Sequence, residues 1–139
     1  MARYYLDSCI WVDHLEDRKG SGGRLLGSYA TRLFMKIIAD KDVLVYSHRT
    51  VDELRKRFGE ESVNDLILIT SKMCCVEWVG FSKEQYLEAK KLAESKRVPV
   101  NDALHAILAR DSGSVLVSQD KHFQKLVEIV KFKRPEDII

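Results

Sequence analysis

Cysteine is scarce in this sequence and is not arranged as a set of ligands. The three cysteines, Cys9, Cys74 and Cys75, are odd in number, and none takes part in a Cys-x-x-Cys pair or a Cys/His spacing typical of zinc. The sequence therefore predicts neither a disulfide framework nor a structural zinc site. We expect all three side chains to be buried free thiols, since free cysteine is among the most often buried residue types.

Long apolar runs and a strong excess of one charge are also missing. No stretch approaches the ~18–20 apolar residues of a membrane-spanning helix, and the N-terminus lacks a basic segment followed by an apolar one. We therefore expect a cytoplasmic protein with no membrane association. The net charge of +2 is too small to indicate a polyanion-binding protein by itself, although basic residues cluster at 96–97 and 131–134.

The sequence has no internal repeat and no linker, and its 139 residues, 45% of them hydrophobic and 32% charged, fit one soluble domain. We expect a single domain spanning residues 1–139. The glycine-rich segment 20–23 is not a phosphate-binding P-loop, because no Gly-Lys-Ser/Thr follows a strand there. This segment is expected to be an ordinary loop.

Strand-like and helix-like patterns alternate along the chain. Strands are predicted at 3–7, 43–46, 74–79, 115–117 and 128–133, and helices at 9–15, 24–39, 47–58, 61–72, 82–95, 101–110 and 121–127. Such alternation predicts an α/β fold, in which a five-stranded, mostly parallel sheet lies between two layers of helices. In a fold of this kind, ligands bind at the edge where the strands end and the helices begin.

Four carboxylates are predicted to lie near that edge. Asp7 and Asp120 directly follow two strands, and Asp102 opens the helix before the second of them. Glu53 lies about two turns into the helix after the second strand. Taken singly, each aspartate could be a helix N-cap, and Glu53 could close a capping box with Thr50.

Taken together, the four acids indicate a metal site. Like charges ~4 Å apart repel by about 4 kcal/mol at an intermediate dielectric, so such a cluster needs a cation. Ligation by oxygen alone favours Mg²⁺ or Mn²⁺ over Zn²⁺. Ser118 is placed to hydrogen-bond a ligand carboxylate or a metal-bound water. His105, one turn after Asp102, is expected to pack or face solvent, because a metal-activated water needs no histidine base.

Four segments resemble the PIN-domain ribonucleases, and more narrowly the VapC toxins of prokaryotic toxin–antitoxin pairs. They are YYLDSCIWV, VYSHRTVDEL, VPVNDALHAILA and SVLVSQDKHF, beginning at residues 4, 45, 98 and 114. They follow the family's order and spacing over nearly the full length. The one departure is Cys9, which stands where the family more often has a small polar residue and which we expect to be a poor substitute for a polar contact.

The resemblance implies a PIN-like sheet of strand order 3-2-1-4-5 and an RNA-cleaving site. It implies that Asp7, Asp102 and Asp120 hold Mg²⁺ or Mn²⁺, that Glu53 holds a metal-bound water or a second ion, and that Ser118 supports the ligands. It also implies a homodimer and a small antitoxin partner whose basic side chain blocks the acids. Candidate contacts to RNA phosphates are Arg24, Arg49, Arg55 and Lys121, each of which is equally compatible with a solvated surface charge.

Other functions remain open at this stage. A stand-alone RNA-processing nuclease would use the same acids, and a non-catalytic binding module would keep only the fold. A phospho-receiver domain needs paired acids after its first strand and an aspartate after its third, and the segments Asp7-Ser8 and CCVEWV supply neither. An Asp-x-Asp phosphatase is disfavoured because Cys9 occupies its second acidic position.

Overall fold

The computed structural model describes all residues 1–139 and contains one five-stranded sheet. Its strands are β1 (Arg3–Leu6), β2 (Val43–Ser47), β3 (Cys75–Val79), β4 (Val115–Val117) and β5 (Phe132–Lys133). Every neighbouring pair is parallel and the order is β3-β2-β1-β4-β5. The predicted α/β/α sandwich and its strand order are confirmed.

Six α-helices alternate with these strands. They are α1 (Ser8–Glu16), α2 (Leu26–Asp40), α3 (His48–Phe58), α4 (Glu60–Met73), α5 (Lys83–Lys96) and α6 (Val100–Asp111). Gly59 separates α3 from α4 at φ 88°, a backbone conformation that L side chains rarely adopt. The helix predicted at 121–127 is a 3-10 helix over Lys121–Leu126, and β5 is shorter than the predicted strand.

The pleat of β1 divides the core into two halves. Successive side chains on a strand point to opposite faces, so Tyr5 packs in the apolar cluster under α5 and α6, whereas Tyr4 and Leu6 pack in the cluster under α1 to α4. All three residues are buried. The central strand therefore fixes both helix layers relative to the sheet.

The apolar stripe of α2 packs mainly inward. Leu33 and Ile37 are fully buried in the core on the α1–α4 side, as the helical periodicity predicts. Met35, on the outer side of the helix, is 64% exposed, and Leu25, just before it, is 49% exposed. The apolar stripe of α2 therefore packs in the core, while Met35 leaves part of the outer surface of the helix apolar and exposed.

The strand order places β1 between β2 and β4, at the switch point of the sheet. The backbone N–H of Asp7, the first residue after β1, donates to the carbonyl oxygen of Val117 at the end of β4 (2.9 Å). The ends of the two strands are therefore in register, and the side chains that follow them share one edge.

The burial of the cysteines differs in part from the expectation. Cys9 and Cys74 are half-buried, but Cys75 is exposed, so the expectation of three buried thiols is wrong for Cys75, which lies on the edge strand β3. None of the helices is long and apolar enough to span a membrane.

Candidate active site

Asp7 lies at the centre of the acidic edge, between β1 and α1. One carboxylate oxygen, Oδ1, accepts the backbone N–H of Ser8 (2.9 Å) and so caps α1. The other, Oδ2, accepts the hydroxyl of Ser118 (2.8 Å). Ser118 is fully buried and its Oγ also accepts the backbone N–H of Asp120 (3.0 Å). One oxygen of Asp7 therefore caps α1, as the sequence allowed, while the other is held by Ser118.

Cys9 takes a polar role that its residue type did not suggest. Its thiol lies 3.4 Å from Asp7 Oδ2 and 3.3 Å from Ser118 Oγ, so it extends the set of groups around the Asp7 carboxylate. Burial, together with the nearby Asp7 charge, raises the pKa of this thiol well above its ordinary value. The thiol stays protonated and adds no negative charge to the site.

Glu53 reaches the same edge from α3 and is held by three donors. Ser8 Oγ donates to Oε2 (2.8 Å), Asn101 Nδ2 donates to Oε1 (3.2 Å), and His105 Nε2 lies 2.6 Å from Oε1. The N-cap of α3 is Ser47, which accepts from the backbone N–H of Thr50 (3.0 Å). The capping-box interpretation of Glu53 is therefore wrong, because its carboxylate faces the acidic edge.

The fully buried His105 and the half-buried Glu53 form a hydrogen-bonded pair. Burial works to raise the pKa of Glu53, but the hydrogen bonds from His105 and Asn101 outweigh it and lower the pKa to about 2. Burial likewise works to lower the pKa of His105, and contacts with Tyr5 and Glu53 outweigh it and raise the pKa to about 10. His105 was expected either to pack in the core or to face solvent. It is fully buried, and it also forms a hydrogen bond with Glu53 at the acidic edge.

Asp102, Asp120 and His122 form a second group beside the first. His122 Nδ1 lies 2.9 Å from Asp102 Oδ2 and 3.3 Å from Asp120 Oδ1. Asp120 caps the 3-10 helix by accepting the backbone N–H of His122 (2.9 Å). Asp102 lies in the first turn of α6, as predicted, and the helix begins at Val100, one residue before the predicted start.

Asp102 experiences the charge of the other acids. Burial raises its pKa, and the carboxylates of Asp120 and Asp7 raise it further, while the hydrogen bond from His122 acts in the opposite direction. The four predicted acids thus lie in two adjacent groups, Asp7 with Glu53 and His105, and Asp102 with Asp120 and His122. His122 was missed, and its only sequence signal was its position two residues after Asp120.

Polar cavities that contain basic residues flank the acids on two sides. One, of about 480 Å³, includes Glu53 and is lined otherwise by Arg49, Asp52, Arg55, Lys56 and Asn101. The other, of about 340 Å³, includes Asp120 and is lined otherwise by Arg24, Gln119, Lys121, Gln124, Phe132, Arg134 and Asp137. Arg24 is paired with Glu136, whereas Arg49 donates to Asn101 Oδ1 (2.6 Å). Positive charge therefore lines both approaches to the acidic edge.

The donor set fits a hard divalent cation. Carboxylate oxygens supply the charge, and buried donors already orient Asp7 and Glu53, which is the usual support for ligands of a metal. The raised pKa of Asp102 in the company of two other carboxylates is the electrostatic condition that a bound cation relieves. The residues present therefore fit Mg²⁺ or Mn²⁺. The imidazole of His122 lies beside the carboxylates of the second group.

The fold and this edge define a doubly wound α/β domain with a carboxylate cluster at its switch point. A family model for the PIN domain matches residues 4–129, and the chain belongs to the PIN domain family. The resemblance found in the four sequence segments is thereby confirmed. No curated protein matches the chain.

Solved structures share this fold at low sequence identity. VapBC2 from Rickettsia felis bound to a promoter DNA fragment matches with a TM-score of 0.69 and 17% identity, covering 95% of this chain and 98% of that one. VapBC-1 from nontypeable Haemophilus influenzae matches with a TM-score of 0.65 and 21% identity, covering 96% and 98%. VapC20 from Mycobacterium tuberculosis, a sarcin-ricin-loop-cleaving toxin, matches with a TM-score of 0.58 and 20% identity, covering 88% and 94%.

Proposed function

We propose that this PIN-domain protein is a Mg²⁺- or Mn²⁺-dependent endoribonuclease and the toxin of a VapBC-type toxin–antitoxin pair. The observation that carries the proposal is the convergence of Asp7, Glu53, Asp102 and Asp120 at the switch point of the sheet. The basic side chains in the two flanking cavities support a substrate that carries phosphates on both sides of the reacting bond.

Each residue has a distinct role in the proposed hydrolysis of the RNA phosphodiester. Asp7, Asp102 and Asp120 would hold the cation, which when bound would supply a more acidic water and stabilise charge on the leaving oxygen. Ser118 orients Asp7 by donating to Oδ2. Glu53, fixed as a carboxylate, orients water at the edge of the site. Arg49 and Lys121 lie in the flanking cavities, where they can neutralise phosphates.

Metal removal tests the nuclease proposal. Purified protein is expected to cleave a labelled single-stranded RNA with Mn²⁺ or Mg²⁺, to stop in EDTA, and to recover when the metal is restored in excess, because the clustered carboxylates need a cation. An Asp120→Asn protein purified in parallel serves as the control for contaminating nucleases. Equal cleavage by both proteins, or undiminished cleavage in EDTA, would reject the assignment.

We further propose a small antitoxin as the protein partner. The Rickettsia felis and Haemophilus influenzae structures are VapBC complexes, which supports such a partner. In this chain an apolar groove of about 190 Å³ lies between α2 and α4 and is lined in part by Phe34, Met35 and Ile69. Met35 and Ile69 are 64% and 56% exposed, a surface that suits an amphipathic segment.

The antitoxin proposal predicts inhibition by direct binding. A cognate antitoxin, which would carry a basic side chain into the acidic edge, is expected to suppress cleavage at a one-to-one ratio of chains. A Met35→Glu protein is expected to keep its activity yet resist that inhibition, because a charge in the groove opposes apolar docking. Inhibition of both proteins at the same ratio would show that the groove is not used.

Light scattering on the free protein tests the homodimer that we also propose.

A further inference from the structure

A fully buried histidine connects the acidic edge to the core of the sheet. His105 on α6 has no exposed surface, and both of its ring nitrogens have partners. Nε2 lies 2.6 Å from Glu53 Oε1, and Nδ1 lies 2.6 Å from the hydroxyl of Tyr5 on β1. The Tyr5 ring also meets the imidazole edge-on, with centroids 5.7 Å apart. The imidazole therefore has one orientation available in this packing.

The chemistry of the two partners fixes the direction of the hydrogen bond to Glu53. An ionised carboxylate only accepts, so Nε2 carries a proton whether the ring is neutral or charged. The phenol of Tyr5 has one proton: while it donates to Ser47 Oγ it accepts from Nδ1–H, and with a neutral ring it donates to Nδ1 and the Ser47 hydroxyl donates to it instead. His105 is thus a donor to Glu53 in every protonation state that keeps this contact.

The other end of the network is anchored to two further elements. Tyr5 donates to Ser47 Oγ (2.6 Å), and Ser47 Oγ accepts the backbone N–H of Thr50 (3.0 Å) at the start of α3. Ser47 and Thr50 are both buried, so solvent does not compete for these bonds. The imidazole is therefore held by β1, by the end of β2 and by the first turn of the helix that carries Glu53.

Glu53 is a long, partly exposed side chain of the acidic edge, and His105 is its only fully buried hydrogen-bond partner. Glu53 lies within α3 and its side chain retains 29% exposure, so water reaches one side of the carboxylate. Its ligand atom lies within 4.8 Å of those of Asp7 and His105. Repulsion from Asp7 would favour rotation of the Glu53 carboxylate toward water if its buried donor were lost.

We propose that His105 is a positioning residue for the nuclease reaction: its Nε2–H, anchored through Tyr5 and Ser47, holds the Glu53 carboxylate in the acidic edge in the orientation that the reaction requires. This inference rests on the proposed ribonuclease function. If His105 served packing alone, activity would depend only on the size and polarity of the side chain at this position. The positioning role makes the donor at Nε2 matter, and these two roles predict different results.

The experiment compares His105→Gln with His105→Leu in RNA cleavage and in calorimetric titration with Mn²⁺. The glutamine amide can place a donor near the position of Nε2, whereas leucine fills the space without one. His105→Leu is expected to lower kcat by about 10- to 100-fold, the range for loss of a hydrogen-bonding partner in the outer shell of a metal site, with KM for RNA little changed. His105→Gln is expected to recover most of that loss. Tyr5→Phe, which removes the anchor of the ring, should fall between them.

Loss of stability is separated from loss of position by a second set of variants. Ile107 lies on α6 and is fully buried in the apolar cluster under α5 and α6. Ile107→Val and Ile107→Ala span a range of melting temperatures and are expected to keep the wild-type kcat below their transitions. A His105→Leu protein as active as an Ile107 variant of equal melting temperature would overturn the positioning role, as would a His105→Gln protein no better than His105→Leu.

The outcomes also separate this inference from the function on which it rests. Wild-type protein that cleaves RNA and binds Mn²⁺, beside a His105→Leu protein that does both equally well, would leave the nuclease in place and remove the role of His105. Wild-type protein that neither cleaves RNA nor binds Mn²⁺ would reject the nuclease, and with it a positioning role in that reaction.

Discussion

An Asp7→Asn protein is expected to cleave RNA at least ~100-fold more slowly than the wild type, since even outer partners of a metal site reach this range. Asp7 is buried at the switch point, where its Oδ2 is held by Ser118 Oγ (2.8 Å). Asparagine keeps the size of the side chain and one oxygen that can cap α1, but it removes a negative charge and an anionic ligand. Initial rates at saturating Mn²⁺ measure the effect.

A second measurement on the same protein separates lost chemistry from lost folding. A ligand that binds only the native state stabilises it by about 2.7 kcal/mol at 100 times its Kd. Mn²⁺ is therefore expected to raise the melting temperature of the wild type and to raise that of Asp7→Asn much less. In EDTA the two proteins are expected to melt within a few degrees of each other, because the cap to Ser8 survives.

The matched control is Asp65→Asn, the same chemical change at an exposed position on α4 that belongs to neither group of acids. It is expected to match the wild type in rate and in its response to Mn²⁺. A rate loss in Asp65→Asn equal to that in Asp7→Asn would point to a general effect of charge on RNA binding. Full activity in Asp7→Asn would remove Asp7 from the proposed metal site.

The positions of the acids were predictable because they follow from chain topology. Alternation of strands and helices predicts a parallel sheet, and a residue that directly follows a strand in such a sheet must lie at one edge. Asp7 and Asp120 were found in this way, and the PIN resemblance added the strand order. Ser118 was predicted as a support for the ligands, and in the structure it donates to Asp7 and accepts from the backbone of Asp120.

The partners of the acids were not predictable, because they depend on contacts between segments distant in sequence. His105 Nε2 meets Glu53 across 52 positions, and His122 meets Asp102 across 20. Helical periodicity places His105 on a buried face but does not say that a carboxylate from α3 lies opposite. A lone histidine or cysteine can either fill space in the core or form a polar contact. Only the packed structure shows which of these roles His105 and Cys9 have.

Loss of Glu53 alone is expected to be among the more destabilising single changes in the molecule. Replacing Glu53 with leucine would leave His105 fully buried without the acceptor for its Nε2–H. Removing one partner of a buried ion pair costs about 3–5 kcal/mol, and we expect the lower end, about 3 kcal/mol, because Glu53 retains some contact with solvent. Urea unfolding at neutral pH measures the change.

The double variant Glu53→Leu/His105→Leu tests the origin of that cost. Two apolar side chains leave no buried charge without a partner, and such replacements are often neutral or stabilising relative to the ion pair. The double variant is therefore expected to be more stable than Glu53→Leu alone, although it has lost a further polar contact. A double variant less stable than either single variant would show that packing, and not the unpaired charge, dominates the cost.

The Glu53–His105 pair also predicts how the stability of the fold changes with pH. The pKa of Glu53 is lowered from 4.5 to about 2, so its contribution is present above pH 4.5 and is lost as the pH falls through 2. The pKa of His105 is raised from 6.5 to about 10, so its contribution is complete below pH 6.5 and is lost as the pH rises through 10. The pair therefore stabilises the fold most between pH 4.5 and 6.5.

Unfolding free energies at about pH 5.5 and about pH 9 make this difference measurable. The wild type is expected to lose stability between these two values, because the folded state holds the His105 proton that the unfolded chain releases. The double leucine variant has neither titrating group and is expected to show a smaller loss over the same interval. An equal loss in the two proteins would assign the pH dependence to other groups and would mean that the buried imidazole is neutral at pH 9. In that case Nε2 would still donate to Glu53 as a neutral ring nitrogen, and the contact would stabilise the fold as a hydrogen bond instead of an ion pair.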